Sequence, residues 1–251
     1  MTTAAGSDHH DDGDNTAEPS NPWAEALATE ANHDVAPRRA ELHRLAGAAR
    51  TMIDRLVATD APVEVLAAAA DDLEAAAARF QGYHQGSLYE GFAEAANSGG
   101  DAAPVFDHSP LLGKGNPIAP PIRLKISEGK VQARVCFGAA YEGPPGCVHG
   151  GFIAAAFDEV LGSAQALSGQ PGMTGTLTIR YENPTPLHTE LGIEAELERV
   201  EGRKVFTAGR LFAGDVVTAR AQGVFISIGV DRFHSMREQR DVTRALGTRP
   251  S

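Results

Sequence analysis

One stretch of this chain limits what it can fold into more than any other. Residues 149–167 carry Ile153, Phe157, Val160, Leu161, Ala164 and Leu167 at the spacing of a single helical face. Around it, from residue 121 onward, the apolar residues follow the shorter period of strands. Ile122–Ile126 and Val131–Phe137 flank a Glu128-Gly129 turn, and Gly138 to Gly146 is a Gly/Pro-rich loop leading into the helix. After the helix come Thr174–Tyr181, Leu191–Val200, Lys204–Phe212 and Val216–Ile228, with turns at Glu201-Gly202 and Gly214-Asp215. Along 174–181 the alternation puts Leu177, Ile179 and Tyr181 on one face, and Thr174, Thr176, Thr178 and Arg180 on the other. The order is strand, strand, helix, four strands. A lone helix among strands can bury its stripe only against the sheet they form, so the pattern predicts an α+β domain: an antiparallel sheet wrapped around one long central helix.

The N-terminal part differs. Leu42, Leu45, Ala46, Ala49, Met52, Ile53 and Leu56 mark one helical face over 38–58, and Val63, Leu66, Ala67, Ala70, Leu73, Ala77 and Phe80 mark another over 62–80. Joined by a short link they predict a helical hairpin that must pack on something else, because two such helices alone bury little. Capping an open sheet face and covering a substrate tunnel are the two roles open to it, and the first is favoured because an exposed apolar face needs cover. Residues 81–120 read as an irregular connection. The expected organisation is a disordered acidic tail over 1–37, a helical extension over 38–100, the sheet-and-helix domain over 101–230, and a charged tail over 231–251.

Charge and cysteine usage narrow the function. The formal net charge is −11, and eight acidic side chains before residue 38, with no Lys or Arg among them, leave −3 on the remainder. Neither part offers the basic face that nucleic-acid binding needs. Apolar runs are too short or broken for a bilayer span, so no membrane insertion is expected. The chain opens without a charged-then-apolar leader, and its two cysteines, Cys136 and Cys147, suit a reduced compartment, so a cytoplasmic location is expected. His9-His10-Asp11-Asp12 reads as solvated tail rather than a metal site, and no metal or cofactor is expected.

The chemically informative stretch is Gly143-Pro144-Pro145-Gly146-Cys147-Val148-His149-Gly150-Gly151, with Asp158 nine residues after the histidine. With Met173-Thr174 before the next strand and Val200-Glu201-Gly202-Arg203-Lys204 in a later turn, residues 120–228 resemble the hotdog-fold acyl-CoA thioesterases, both the PaaI type and the group around the carboxyl-terminal modulator protein. The resemblance implies the hotdog fold, hydrolysis of acyl-CoA thioesters, and catalytic roles for Asp158, Gly150, His149 and Thr174. It makes Asp158 the general base for water or a nucleophile, the Gly150 N–H the group that polarises the thioester carbonyl with help from His149, and Thr174 the hydroxyl that orients water.

Physical chemistry is consistent with that transfer. A helix N-terminus offers unpaired N–H groups and a positive dipole end to a carbonyl gaining negative charge, and glycines at 150 and 151 let a ligand approach the backbone. The bland alternative for the glycines is a tight helix entry. Asp158 sits among Ala154, Ala155, Leu161 and Gly162, where a carboxylate is costly without a purpose. The alternatives are an exposed Asp beside Glu159, with Glu159 as the fallback carboxylate about 100° around the helix, and for Thr174 an ordinary strand residue. Cys147 reads as a small buried thiol rather than a nucleophile.

Gly150 and Asp158 are separated by eight residues, about 12 Å along a helix axis, too far to grip one thioester. The site is therefore expected to be composite, at the interface of antiparallel helices in a homodimer or higher homo-oligomer. Gly151, Arg180, Arg203 and Lys204 are the candidate substrate-binding residues. Close relatives carry a basic pair where this chain has Glu182 and Asn183, which leaves the phosphate contacts to those arginines and that lysine. An acyl-carrier-protein substrate is disfavoured by the acidic balance. Two rival functions remain: an acyl-thioester dehydratase or hydratase on the same fold, and a non-catalytic acyl-CoA-binding module.

Overall fold

In the computed structural model, residues 37–83, 107–170 and 172–228 are described. The acidic segment before residue 37, the connection 84–106 and the charged segment after 228 lie outside the described residues. The strands are β1 (Arg123–Ser127), β2 (Lys130–Cys136), β3 (Gly172–Tyr181), β4 (Glu190–Glu201), β5 (Lys204–Ala213) and β6 (Val216–Ser227). The helices are α1 (Pro37–Val57), α2 (Val63–Ala78) and the central α3 (Gly150–Ala166), with a short 3-10 turn at Ala139–Tyr141. The fold is the hotdog arrangement expected: one antiparallel six-stranded sheet in the order β1-β2-β4-β5-β6-β3, curled on α3.

Local chemistry sets the hairpins. The β1–β2 turn places Glu128 at φ 53 and Gly129 at φ 71, the pair of left-handed residues whose twist matches that of the flanking strands. The alternation along β2 is complete: Val131, Ala133 and Val135 are buried and the residues between them exposed. On α3, Phe157, Val160, Leu161 and Ala164 are fully buried against Val131, Leu191, Ile193, Val205, Leu211 and Phe225 of the sheet. Each large apolar side chain removed from water this way contributes on the order of 1.5–3 kcal/mol, so one helix holds the whole sheet in its curl. β3 lies at the sheet edge. It pairs with β6 on one side, and its other side is bonded to no described strand.

The N-terminal helices do not spread over the sheet. α1 packs on the 139–141 turn and on the 107–120 segment. Its attachments are polar. Asp54 Oδ1 accepts from the Ala139 N–H at 2.6 Å, and Arg50 donates to the carbonyls of Lys114 and Asn116 at 3.1 and 2.9 Å. Arg39 and His43 both bond to the buried Asp107 carboxylate. The expectation that these helices cap an open sheet face is therefore corrected: the sheet closes on its own helix, and α1 covers the loops around the N-terminal end of α3. α2 has no buried residue, and Val63, Val65, Leu66 and Leu73 are exposed. Among the described residues, no helix is long and apolar enough to cross a membrane.

Candidate active site

The Gly/Pro loop before α3 is pinned on three sides. Gly143 N–H donates to the Cys147 carbonyl at 2.9 Å, Val148 N–H to Thr185 at 2.8 Å, and His149 N–H to Tyr141 at 2.9 Å. That delivers His149 in an extended conformation (φ −61, ψ 133) as the N-cap of α3. Its Nδ1 accepts from the Gly151 N–H at 3.0 Å. A ring nitrogen that accepts carries no proton, so in the neutral imidazole Nε2 holds it and remains a donor. Glycine at 151 makes the cap fit: a Cβ there would lie 3.1 Å from Nδ1. The Phe152 and Ile153 N–H groups both donate to the His149 carbonyl. Of the first-turn donors, the Gly150 N–H is left without an acceptor among the described residues. Helix ends leave such groups facing outward with the positive end of the dipole behind them.

Tyr181, at the end of β3, donates its hydroxyl to the Gly150 carbonyl at 2.9 Å. This contact ties the helix tip to the edge strand, and nothing in the sequence pattern announced it. The period-two alternation turned Tyr181 toward the helix but gave no partner.

Asp158 lies two turns down the helix. Thr174 Oγ1 donates to Asp158 Oδ1 at 2.7 Å. The strand alternation put Thr174 on the face opposite Leu177 and Ile179, and the structure corrects this. The β3–β6 register shifts between Thr174 and Thr176, so that Thr174 pairs with Phe225 and Thr176 with Val224. This bulge inserts one extra residue and flips the parity of everything before it. Thr174 thereby shares the face of buried Phe225 and of Leu177, and meets the helix. The extra residue is Gly175, whose absent Cβ would lie 3.0 Å from Ile226 Cγ1 and 3.3 Å from the Val224 carbonyl.

In the single chain Asp158 is exposed. Glu159, its neighbour, is partly buried, and its carboxyl has no hydrogen bond or ion pair among the described residues, although its backbone carbonyl accepts from Ser163 Oγ. Burial, helped by the Asp158 charge, pushes its carboxyl up to about 7. Cys147 is only partly buried and Cys136 is exposed, so neither is the enclosed small thiol expected of Cys147.

The cationic candidates are not gathered at one place on the chain. The Arg180 side chain is 83% exposed and its Nε lies 3.9 Å from Glu182, which Arg220 approaches to 3.5 Å. Arg203 Nε donates to the Ser227 carbonyl at 3.0 Å, and Lys204 is exposed beside it at the start of β5. Ser227 pairs with Gly172 at the beginning of β3, and Arg180 sits eight residues farther along, about 26 Å at strand rise. Each chain therefore carries a tyrosine-braced helix tip near one end of β3, with Arg180, and a Thr-bonded carboxylate toward the other, with Arg203 and Lys204.

A sheet wrapped on a single helix, with reactive groups along that helix and on the edge strand, is the construction of hotdog-fold proteins. The comparisons sharpen the class. Residues 145–220 match the family model described as thioesterase superfamily. A crystal structure of a thioesterase superfamily protein is 37% identical, with a TM-score of 0.66, over 74% of this chain and 90% of that one. The chain thus belongs to the thioesterase superfamily. Acyl-coenzyme A thioesterase THEM4 of Xenopus laevis is 38% identical over 93 residues, 36% of this chain and 42% of that protein. Acyl-coenzyme A thioesterase THEM5 of Homo sapiens is 32% identical over 96 residues, 38% of this chain and 39% of that protein. The chain therefore spans about two fifths of the length of these curated relatives.

Proposed function

We propose that the protein hydrolyses acyl-CoA thioesters to the free acid and CoA, in sites shared between two subunits. The observation that carries the reading is the pairing of an unsatisfied N–H at the tip of α3 with a Thr-bonded carboxylate on the same helix, too far along it to reach the same ligand. The Gly150 N–H, aided by the Nε2–H of His149, binds the thioester carbonyl oxygen and stabilises the negative charge that develops there. Thr174 spends its hydroxyl proton on Asp158 Oδ1, so its lone pairs are free to accept from a water, while Oδ2 takes the proton that water releases. The water oxygen bonds to the carbonyl carbon, the C–S bond breaks as the carbonyl re-forms, and the proton held by Asp158 passes to the departing sulfur, giving the thiol and restoring the carboxylate.

Eight residues of helix put Gly150 and Asp158 about 12 Å apart, so a tip from one subunit must meet a carboxylate from another. The free side of β3 supplies the means. A ten-residue edge with unpaired N–H and C=O groups is a template for a second strand. Antiparallel pairing of two copies of β3 brings the Arg180 end of one subunit beside the Arg203 and Lys204 end of the other, and covers the now-exposed Asp158. The names of the curated relatives support the substrate class.

Gly150→Pro is a selective test. Proline removes the N–H in question, is well accepted at the first helical position, and needs an extended residue before it, which His149 already is; its Cβ would lie 3.3 Å from the Tyr181 hydroxyl, so a thermal melt checks that the helix tip is kept. Free-thiol release from a panel of acyl-CoAs should be strongly reduced in Gly150→Pro and in Asp158→Asn. Mixing the two variants by co-refolding should restore about a quarter of wild-type turnover, since about half the dimers are mixed and each carries one intact composite site. No restoration would remove the shared site. Double-bond hydration without thiol release would assign the dehydratase class, and tight acyl-CoA binding without turnover a binding module.

A further inference from the structure

Beside the tip of α3 lies a cavity of about 540 Å³ that the reaction just described does not account for. Its walls come from three places: Ile53 on α1, Leu111 and Ile118 on the 107–120 segment, and Tyr141, Phe152 and Ala155 around the start of α3. The polar side chains in the wall are engaged by backbone groups in and next to it. Arg50 donates to the Lys114 and Asn116 carbonyls, Asp54 accepts from the Ala139 N–H, and the Tyr141 hydroxyl donates to the Ile118 carbonyl at 2.9 Å. Burial pushes that hydroxyl above its ordinary value, so it stays a neutral donor. What the cavity presents is mostly carbon. Water inside has few partners, and an apolar group that displaces it gains free energy. The size falls within the range of small-molecule sites, roughly 300–1,000 Å³.

Position links the cavity to the chemistry. Phe152 is in the first turn of α3, two residues from Gly150, and its ring stands edge-on to Tyr141 at 4.9 Å and to His149 at 6.2 Å. One side of this aromatic set faces the cavity and the other the histidine that caps the helix. A carbonyl held at the Gly150 N–H would have its substituent within reach of the cavity.

We propose that this cavity is the acyl subsite, that it takes an unbranched alkyl chain of medium length, and that α1 with the 107–120 segment sets the chain-length preference. The assignment rests on the thioesterase reading for its substrate, but the cavity's affinity for an alkyl chain is a separate property. Each buried methylene is worth about fourfold in kcat/KM. Filling the cavity with a large side chain should therefore penalise long chains and leave short ones less affected.

The test uses the full-length chain with Ile53→Trp and, separately, Ile118→Trp, each checked by circular dichroism and a thermal melt. Ile118 is 60% exposed, so that variant remains available should the substitution on α1 fail to fold. Thiol release is measured with acetyl-CoA and octanoyl-CoA. The ratio of kcat/KM for octanoyl over acetyl should fall tenfold or more in each folded variant, and a ratio unchanged in either one overturns the assignment. If the wild-type protein releases thiol from no acyl-CoA, the thioesterase reading fails, and calorimetric titration with octanoate decides the cavity alone. Binding of one octanoate per chain that the folded variants lose supports an alkyl site; no binding to wild type, or binding the variants retain, rejects it.

Discussion

Replacing Glu159 with glutamine should stabilise the protein at alkaline pH and hardly at all at acid pH. In the folded chain, burial first and the Asp158 charge second raise this carboxyl from its ordinary 4.5 to about 7. The unfolded chain loses the burial, and water screens the charge of the adjacent Asp158. Below about pH 4.5 both states hold the proton and Glu159 carries no penalty. Between the two values the unfolded chain ionises while the folded one does not, so stability falls as pH rises. Above about pH 7 both are ionised, and the folded state bears the full cost. A displacement of that size corresponds to at most about 3 kcal/mol, a ceiling because Glu159 keeps some contact with solvent. Glutamine has nearly the shape of the protonated acid and cannot ionise. Denaturant unfolding followed by fluorescence, for wild type and Glu159→Gln from about pH 4 to about pH 8.5, measures the difference directly. The two stability curves should meet at the acid end and diverge by up to about 3 kcal/mol at the alkaline end. Curves that stay parallel, or a variant less stable at alkaline pH, would show that the carboxyl is ionised in the folded protein and refute the reasoning. Asp158→Asn removes the second cause, so it should move the divergence to lower pH.

Other outcomes follow from the same geometry. Asp158→Asn should lower thiol release by about 10²- to 10⁴-fold, the range a positioned general base supplies; in heavy-oxygen water a single turnover should label the released acid and leave the Asp158 carboxylate unlabelled, and label in the protein would make Asp158 a nucleophile. Thr174→Val should cost about tenfold in kcat through the lost bond to the carboxylate, and Thr174→Ser should recover most of it. Gly151→Ala should push His149 off its cap and destabilise α3 by about 0.5–2 kcal/mol in a thermal or denaturant melt. Lengthening or deleting the bulge at Gly175 should cost at least the same factor of about ten in turnover by turning Thr174 away from Asp158, while the β3–β6 pairing survives in circular dichroism.

Period alone was enough to establish the architecture. The stripe Ile153, Phe157, Val160, Leu161 and Ala164 is the buried face of α3, and six alternating runs became six strands, because a side chain's face depends only on its place in a regular repeat. The His-Gly-Gly entry and Asp158 were legible for the same reason: their relation is local to one helix. What lay beyond the sequence depends on contacts between elements distant along the chain. The bulge at Gly175 breaks the strand period, so alternation assigned Thr174 to the wrong face, and only pairing with β6 reveals the extra residue. Tyr181 meets Gly150 across 31 residues of sequence, and α1 finds the loop at Ala139 through Asp54 across 85. The raised carboxyl of Glu159 is likewise a property of what packs around it. A repeat can tell a residue which way to point, but which partner waits there is decided only when the chain closes on itself.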